Sequence, residues 1–204
     1  MYKRQVQAVL LFVLLVVVVV FEIMMPSVVM LLAPGFSTTP ERFAAAVALA
    51  RITMPYLPMI SLIAFWAAIA NAHDRFVPGA AMPILFNVCM IGGALVIPLL
   101  SGELGVQKAK PLAFGLLGAG ALQMGVMYVV LHRMGKAPHF IFALKPSATA
   151  RRMWRKFLPA ALGALGMQLN LIVDLILASL LPVGAISWLY YADRIVQLPL
   201  GIVG

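Results

Sequence analysis

The feature that most constrains this chain is a series of apolar runs, each about twenty residues long, separated by short polar or Pro/Gly-containing links. At roughly 1.5 Å per residue, about twenty helical residues cross the ~30 Å hydrocarbon core of a bilayer. Lipid offers no partner for backbone N–H and C=O groups, so such a run must be a helix, which pairs them internally. Composition agrees. Of 204 residues, 64% are hydrophobic and 10% are charged, whereas a soluble domain carries about a quarter charged residues. A soluble enzyme and a disordered chain are excluded. A span with its loop takes roughly 30–35 residues, so the length predicts about six spans and an all-α polytopic membrane protein.

The spans are expected at about residues 6–32, 48–71, 79–100, 111–131, 157–181 and 185–204. Ala33-Pro34-Gly35 breaks the first run. Thr38, three residues before Glu41, has the spacing of a capping box, with Pro40 in the first turn. The second helix extends to about Ala72, and its Pro55 and Pro58 predict a kink. Asn71–Arg75 and Ser101–Lys110 read as polar links, and Pro182-Val183-Gly184 as a tight turn. Gly115, Gly118 and Gly120 mark places where another helix can approach the fourth span. The sixth segment is still apolar at Gly204, with no stop signal, and the chain opens abruptly before a span, so the sequence reads as an excerpt of a longer protein.

The formal net charge is +9, and its distribution explains it. With the N-terminus inside, ten Lys/Arg fall in inner segments (Lys3, Arg4, Arg75 and seven in His132–Lys156) and three in outer ones (Arg42, Lys108, Lys110). This is the positive-inside bias of membrane proteins, so no nucleic-acid partner is expected. Arg151–Lys156 reads as an amphipathic, interfacial lead-in to the fifth span that attracts anionic headgroups. The lone Cys89 makes no intrachain disulfide, and no Cys/His cluster has metal-ligand spacing. There is no P-loop and no dinucleotide fingerprint, and Ser61 and Ser187 lack a His/Asp partner in any motif. His73 reads as a solvated loop residue. The chain is therefore expected to be no enzyme and to use no cofactor beyond an ion.

Charges inside spans are the places to look for function, because an isolated one costs roughly 2.5–3.5 kcal/mol at the bilayer centre. Asp174 lies mid-span with Asn170 one turn before it. These two oxygen ligands suit a cation; the alternative is a buried Asp that bonds another helix or pairs with Arg194. On the sixth helix Tyr190, Arg194 and Gln197 recur at i, i+4 and i+7, with Asp193 beside them. An Arg fork in a shielded cavity suits phosphate or pyrophosphate; the alternative is a helix-end Arg that reaches to the headgroups. Arg51, before Pro55, either turns toward a cavity or anchors at the outer interface, and Glu22 reads as structural, near the outer end of its helix.

Several stretches together resemble the lipid II flippase family, MurJ (MviN), of the MOP exporter superfamily. They are Arg51-Ile52-Thr53-Met54-Pro55-Tyr56, Asn71 with Arg75-Phe76, Pro83-Ile84-Leu85-Phe86-Asn87, Leu158-Pro159-Ala160, Gln168–Asp174 and Ala178-Ser179. Ser187-Trp188-Leu189-Tyr190-Tyr191-Ala192-Asp193-Arg194 and Gln197-Leu198-Pro199 complete the likeness. Residues 1–5 do not fit and are set apart as a foreign leader. The resemblance implies fourteen helices in two lobes, of which this chain matches the third to eighth. It implies a bacterial inner-membrane flippase that moves lipid II, an undecaprenyl-pyrophosphate disaccharide-pentapeptide, to the outer leaflet for peptidoglycan synthesis by alternating access. Arg194 matches a cavity arginine that contacts substrate, with Asp193, Tyr190, Gln197 and Arg51 as further candidates. Asp174, with Asn170, matches a sodium ligand of some members. The competing expectations are an exporter of another polyprenyl-linked glycan or of drugs, and an inactive truncated membrane fragment.

Overall fold

The computed structural model describes residues 2–99, 106–136 and 148–203. Among these the regular elements are helices, with no strand. They are α1 (Tyr2–Leu32), α2 (Pro40–Thr53), α3 (Tyr56–Asn71), α4 (Val77–Ala80), α5 (Met82–Val96), α6 (Val106–Arg133), α7 (Ala148–Ser179) and α8 (Ala185–Val203). Five helical stretches are long and apolar enough to cross a membrane: Val6–Leu32, Pro40–Asn71, Val77–Leu99, Lys108–Arg133 and Leu162–Ser179. The chain is an all-α, multi-pass membrane protein. α8 forms where the sixth span is expected, but with Asp193 and Arg194 in its middle it is not among those five.

Local chemistry sets the boundaries, and it departs from the sequence expectation in four places. Thr38 does not cap α2: its hydroxyl donates backward to the Gly35 carbonyl at 2.8 Å, within a 3-10 turn over Pro34–Thr38. Pro40 opens α2 as expected. The kink falls at Pro55 alone, between α2 and α3; Pro58 sits in the first turn of α3, where its missing N–H costs nothing. The fourth span starts earlier than Pro111, since α6 is helical from Val106 and carries Pro111 inside it. His73 is not simply solvated: its Nδ1 lies 2.8 Å from the Ile69 carbonyl, a geometry that requires Nδ1 to donate. The expected loop at Ser101–Lys110 lies outside the described residues as far as 105, and the basic stretch lies outside them at 137–147. Arg151–Lys156 form early turns of α7, continuous with the fifth span. Gly184 closes the α7–α8 turn at φ +103°, a conformation that favours glycine.

Two compact units emerge, and α1 contributes to both. The first holds the residues up to Met25 and Val47–Arg155. Its core is Ile63, Trp66 and Ala70 of α3, Met82 of α5, and Met127 and Leu131 of α6. α5 and α6 run together closely because small residues let backbones approach. A Cβ on Gly93 would lie 2.8 Å from the Pro111 carbonyl oxygen, and one on Gly115 would lie 3.1 Å from that of Cys89. A Cβ on Gly120 would meet Met59 and Tyr56 of the α2–α3 stretch, whereas Gly118 faces open space. The second unit holds Pro26–Ala46 and Lys156–Gly204. Its seam is Gly35 against Ser179. The Gly35 N–H donates to Ser179 Oγ at 3.2 Å, and that hydroxyl donates to the Ile176 carbonyl at 2.7 Å.

Candidate functional site

The second unit carries most of the candidate residues on α7 and α8. On α8 the polar side chains sort into two i, i+4 pairs. The Tyr190 hydroxyl accepts from Arg194 Nε at 3.1 Å and from Nη2 at 2.7 Å, and the guanidinium carbon lies 5.0 Å from the Tyr190 ring centre. Gln197 Nε2 donates to Asp193 Oδ2 at 2.6 Å. The expected single stripe of Tyr190, Arg194 and Gln197 is thus divided, because Gln197 joins Asp193. One turn of helix brings each pair together, and all four residues are exposed. Tyr190 fixes the arginine fork without neutralising it. Nη1 and the second Nη2 proton remain for another acceptor, in the planar geometry that suits phosphate oxygens.

Asp174 and Arg194 do not share a face. Asp174 lines a groove of about 440 Å³ with Leu177, Ala178 and Leu181 of α7 and its turn, and with Ala185, Trp188, Leu189 and Ala192 of α8. At about 100° per residue, the groove face of α8 points nearly opposite to the face of Tyr190 and Arg194. The alternative in which Asp174 pairs with Arg194 is therefore not formed. Asp174 is the one charged side chain lining that groove, and it is exposed, as is Asn170 one turn away. Together they offer a carboxylate and an amide oxygen, only part of the six or more oxygen ligands a hard cation takes. Among the described residues, no three His, Cys, Asp or Glu side chains converge as a metal cluster.

Arg51 belongs to the first unit, and there it meets Glu22 of α1, with Nε 4.0 Å from Oε2. This is the ion pair found among the described residues, and both side chains remain partly open, at 48% and 30% exposure. Arg51 is thus tied to a neighbouring helix by a residue the sequence marks as structural.

Two buried amides, uncharged, do not stand out in the sequence as the charges inside spans do. Gln7 is 3% exposed and accepts from the Trp66 indole N–H at 3.3 Å; Gln123 is 4% exposed and donates to the Met82 carbonyl at 2.7 Å. Each leaves one amide atom without a partner, Nε2 of Gln7 and Oε1 of Gln123. A neutral polar residue inside an otherwise apolar run was the available signal.

Comparison with known proteins assigns the family. The model of the family described as lipid II flippase MurJ matches residues 2–204, and so takes in residues 2–5. A probable lipid II flippase MurJ of Rhizobium meliloti is 36% identical over 206 residues, covering 100% of this chain and 38% of the relative. One from Rhizobium tropici is 36% identical with the same coverages, and one from Rickettsia prowazekii is 33% identical over 94% of this chain and 36% of its own length. The chain thus spans under two fifths of the length of these relatives. With 100% of its length aligned at 36% identity and a family match from residue 2 to its end, the chain belongs to the lipid II flippase MurJ family.

Proposed function

We propose that this chain is the part of a lipid II flippase that presents Arg194 to the pyrophosphate of the substrate, in a bacterial inner membrane with the N-terminal end of α1 on the cytoplasmic side. The observation that carries the reading is the guanidinium of Arg194, held by Tyr190, exposed, and free of any carboxylate among the described residues. A pyrophosphate entering lipid loses hydration, and a fixed planar donor set offsets part of that cost. Asp193 bonds Gln197 and makes no ion pair with Arg194, so it does not occupy the guanidinium.

The energetics need no nucleotide. The cell interior is negative, so outward movement of an anion is downhill by roughly 2.3 kcal/mol per charge per 100 mV. Alternating access is movement of two lobes about a central site. α7 bends most readily where Pro159 removes a backbone hydrogen bond and where Gly163 and Gly166 have open space around them. The Asp174 carboxylate and the Asn170 amide oxygen would hold a sodium ion as part of a larger ligand set. Its binding would couple cation movement to the groove between α7 and α8. The relatives are named flippases, and the reading accordingly involves no bond-making step.

The test is complementation. This segment replaces its counterpart in a full-length relative, and the host's own lipid II flippase is depleted. Growth with Arg194 and loss of growth with Arg194→Ala, at equal membrane abundance, is the expected result. Rescue by both removes Arg194 from the mechanism. Rescue by neither, with both proteins in the membrane, overturns the substrate.

A further inference from the structure

A second groove lies in the first unit, at the end of α3 and α6, with a volume of about 570 Å³. That is within the roughly 300–1,000 Å³ typical of sites for small ligands. Most of its wall is apolar, including Val77, Ile84, Leu85, Val126 and Val130. These residues belong to stretches long and apolar enough to cross a membrane, so an acyl chain is the natural neighbour of the open side. The groove's end is different. Asp74 and Arg75 line it, and both are exposed.

The backbone there is fixed. Arg75 N–H donates to the Ala70 carbonyl at 3.1 Å and Asp74 N–H to that of Asn71 at 3.0 Å. This six-to-one and five-to-two pairing ends a helix with a left-handed residue, which is Asp74 at φ 59°. Glycine would hold that turn at less cost; aspartate adds a carboxylate at the rim. On α6, Val126, Val130 and Arg133 share one face at i, i+4 and i+7. Arg133 does not line the groove itself; it is exposed one turn beyond Val130, and a long helical side chain that leans toward the N-terminus can reach back along that face. Neither arginine forms an ion pair with Asp74.

We propose that this groove binds one phosphatidylglycerol, with an acyl chain along its apolar wall and the phosphodiester at Arg75 and Arg133. The Asp74 carboxylate accepts hydrogen bonds from the glycerol hydroxyls of the headgroup. Charge selects the occupant. Two guanidiniums and one carboxylate leave one positive charge, which a headgroup of net charge −1 matches. A zwitterionic headgroup leaves one cation unmet. The site does not depend on what the protein transports.

The test is native mass spectrometry of the protein, both as this chain and as the full-length chimera, released from mixed micelles of phosphatidylglycerol, phosphatidylethanolamine and phosphatidylcholine in equal amounts. Wild type is expected to retain one phosphatidylglycerol about tenfold over either zwitterionic lipid. Arg75→Gln with Arg133→Gln is expected to abolish that preference, and Val130→Trp, which fills the groove, to lower retention with the charges intact. Lys108→Gln with Lys110→Gln is the control for diffuse charge and is expected to leave the preference unchanged. Equal retention of phosphatidylglycerol and phosphatidylethanolamine by wild type overturns the proposal. So does an unchanged preference in the double arginine variant, whose exposed positions leave folding intact, or an equal loss in the lysine control.

Discussion

In the first unit Gln7 and Gln123 are almost wholly buried and each is bonded to a neighbouring helix. In the second, Asn170, Asp174, Asp193, Arg194 and Gln197 are exposed, and among the described residues the polar side chains of α8 that form side-chain hydrogen bonds form them with one another. Both units are built from apolar helices, so hydrophobicity does not separate them. What separates them is where the polar groups are spent. Amides used between helices fix register, and the atom each leaves over is buried away from any incoming ligand. Charges paired within one helix keep their outward donors and acceptors. The first unit has the character of a scaffold, and the second that of a surface prepared for something else.

The largest test of that contrast is Trp66→Ala. It empties the centre of the first core and strips Gln7 Oε1 of its donor. A loss of about 3–5 kcal/mol is expected, read as a lower melting temperature in detergent. Arg194→Ala, which removes a group of the second unit bonded only within its own helix, is expected to leave that temperature unchanged. Equal losses would erase the distinction.

Next is Gly35→Ala. The new methyl would run into the backbone of Ser179, which cannot yield as a flexible side chain does. The expected cost is about 1–3 kcal/mol, and proteolysis near Gly35 should accelerate. Ser179→Ala removes only the hydroxyl that accepts from the Gly35 N–H, and should cost about 1 kcal/mol. If Ser179→Ala is the worse of the two, the seam is held by its hydrogen bond and not by its close fit.

Gln123 sharpens the contrast from the other side. Gln123→Ala leaves a cavity and takes the second donor from the Met82 carbonyl, at about 2 kcal/mol. Gln123→Leu keeps the volume and also removes the amide oxygen that has no partner, so its cost should fall below about 1 kcal/mol. A ratio near one in thermal unfolding would show that the Gln123–Met82 bond outweighs packing.

Much of this was legible in the sequence, for identifiable reasons. Helices follow from apolar length, because lipid forbids unpaired backbone. The break at Pro55 and the turn at Gly184 follow from ring geometry and from φ. Contacts over longer range were less visible. The capping-box spacing of Thr38 and Glu41 gave way to a 3-10 turn whose own carbonyl claimed the hydroxyl. Asp174 and Arg194 each stand out as charges, yet that Asp174 of α7 lies against the face of α8 opposite Arg194 appears only once the α7–α8 turn sets which side of α8 meets α7. Gln7 and Gln123 carry no charge, and a search for charge passes over them.

The smallest effect concerns Arg51. The sequence offers it both as a cavity residue and as an interfacial anchor, and the structure sets it 4.0 Å from Glu22. Because both side chains stay partly open, solvent or headgroups screen their attraction. A double-mutant cycle with Arg51→Gln and Glu22→Gln should give a coupling of about 1 kcal/mol or less. The sign of the single variants then discriminates. If the pair is an anchor, each single variant costs little and the double costs no more than their sum. If the pair is desolvated in the assembled protein, removing either partner strands the other charge, and each single variant should be several times worse than the double. The second pattern would place the Arg51–Glu22 pair with Gln7 and Gln123, as polar groups spent between helices, and the first would leave Arg51 as a charge open to its surroundings.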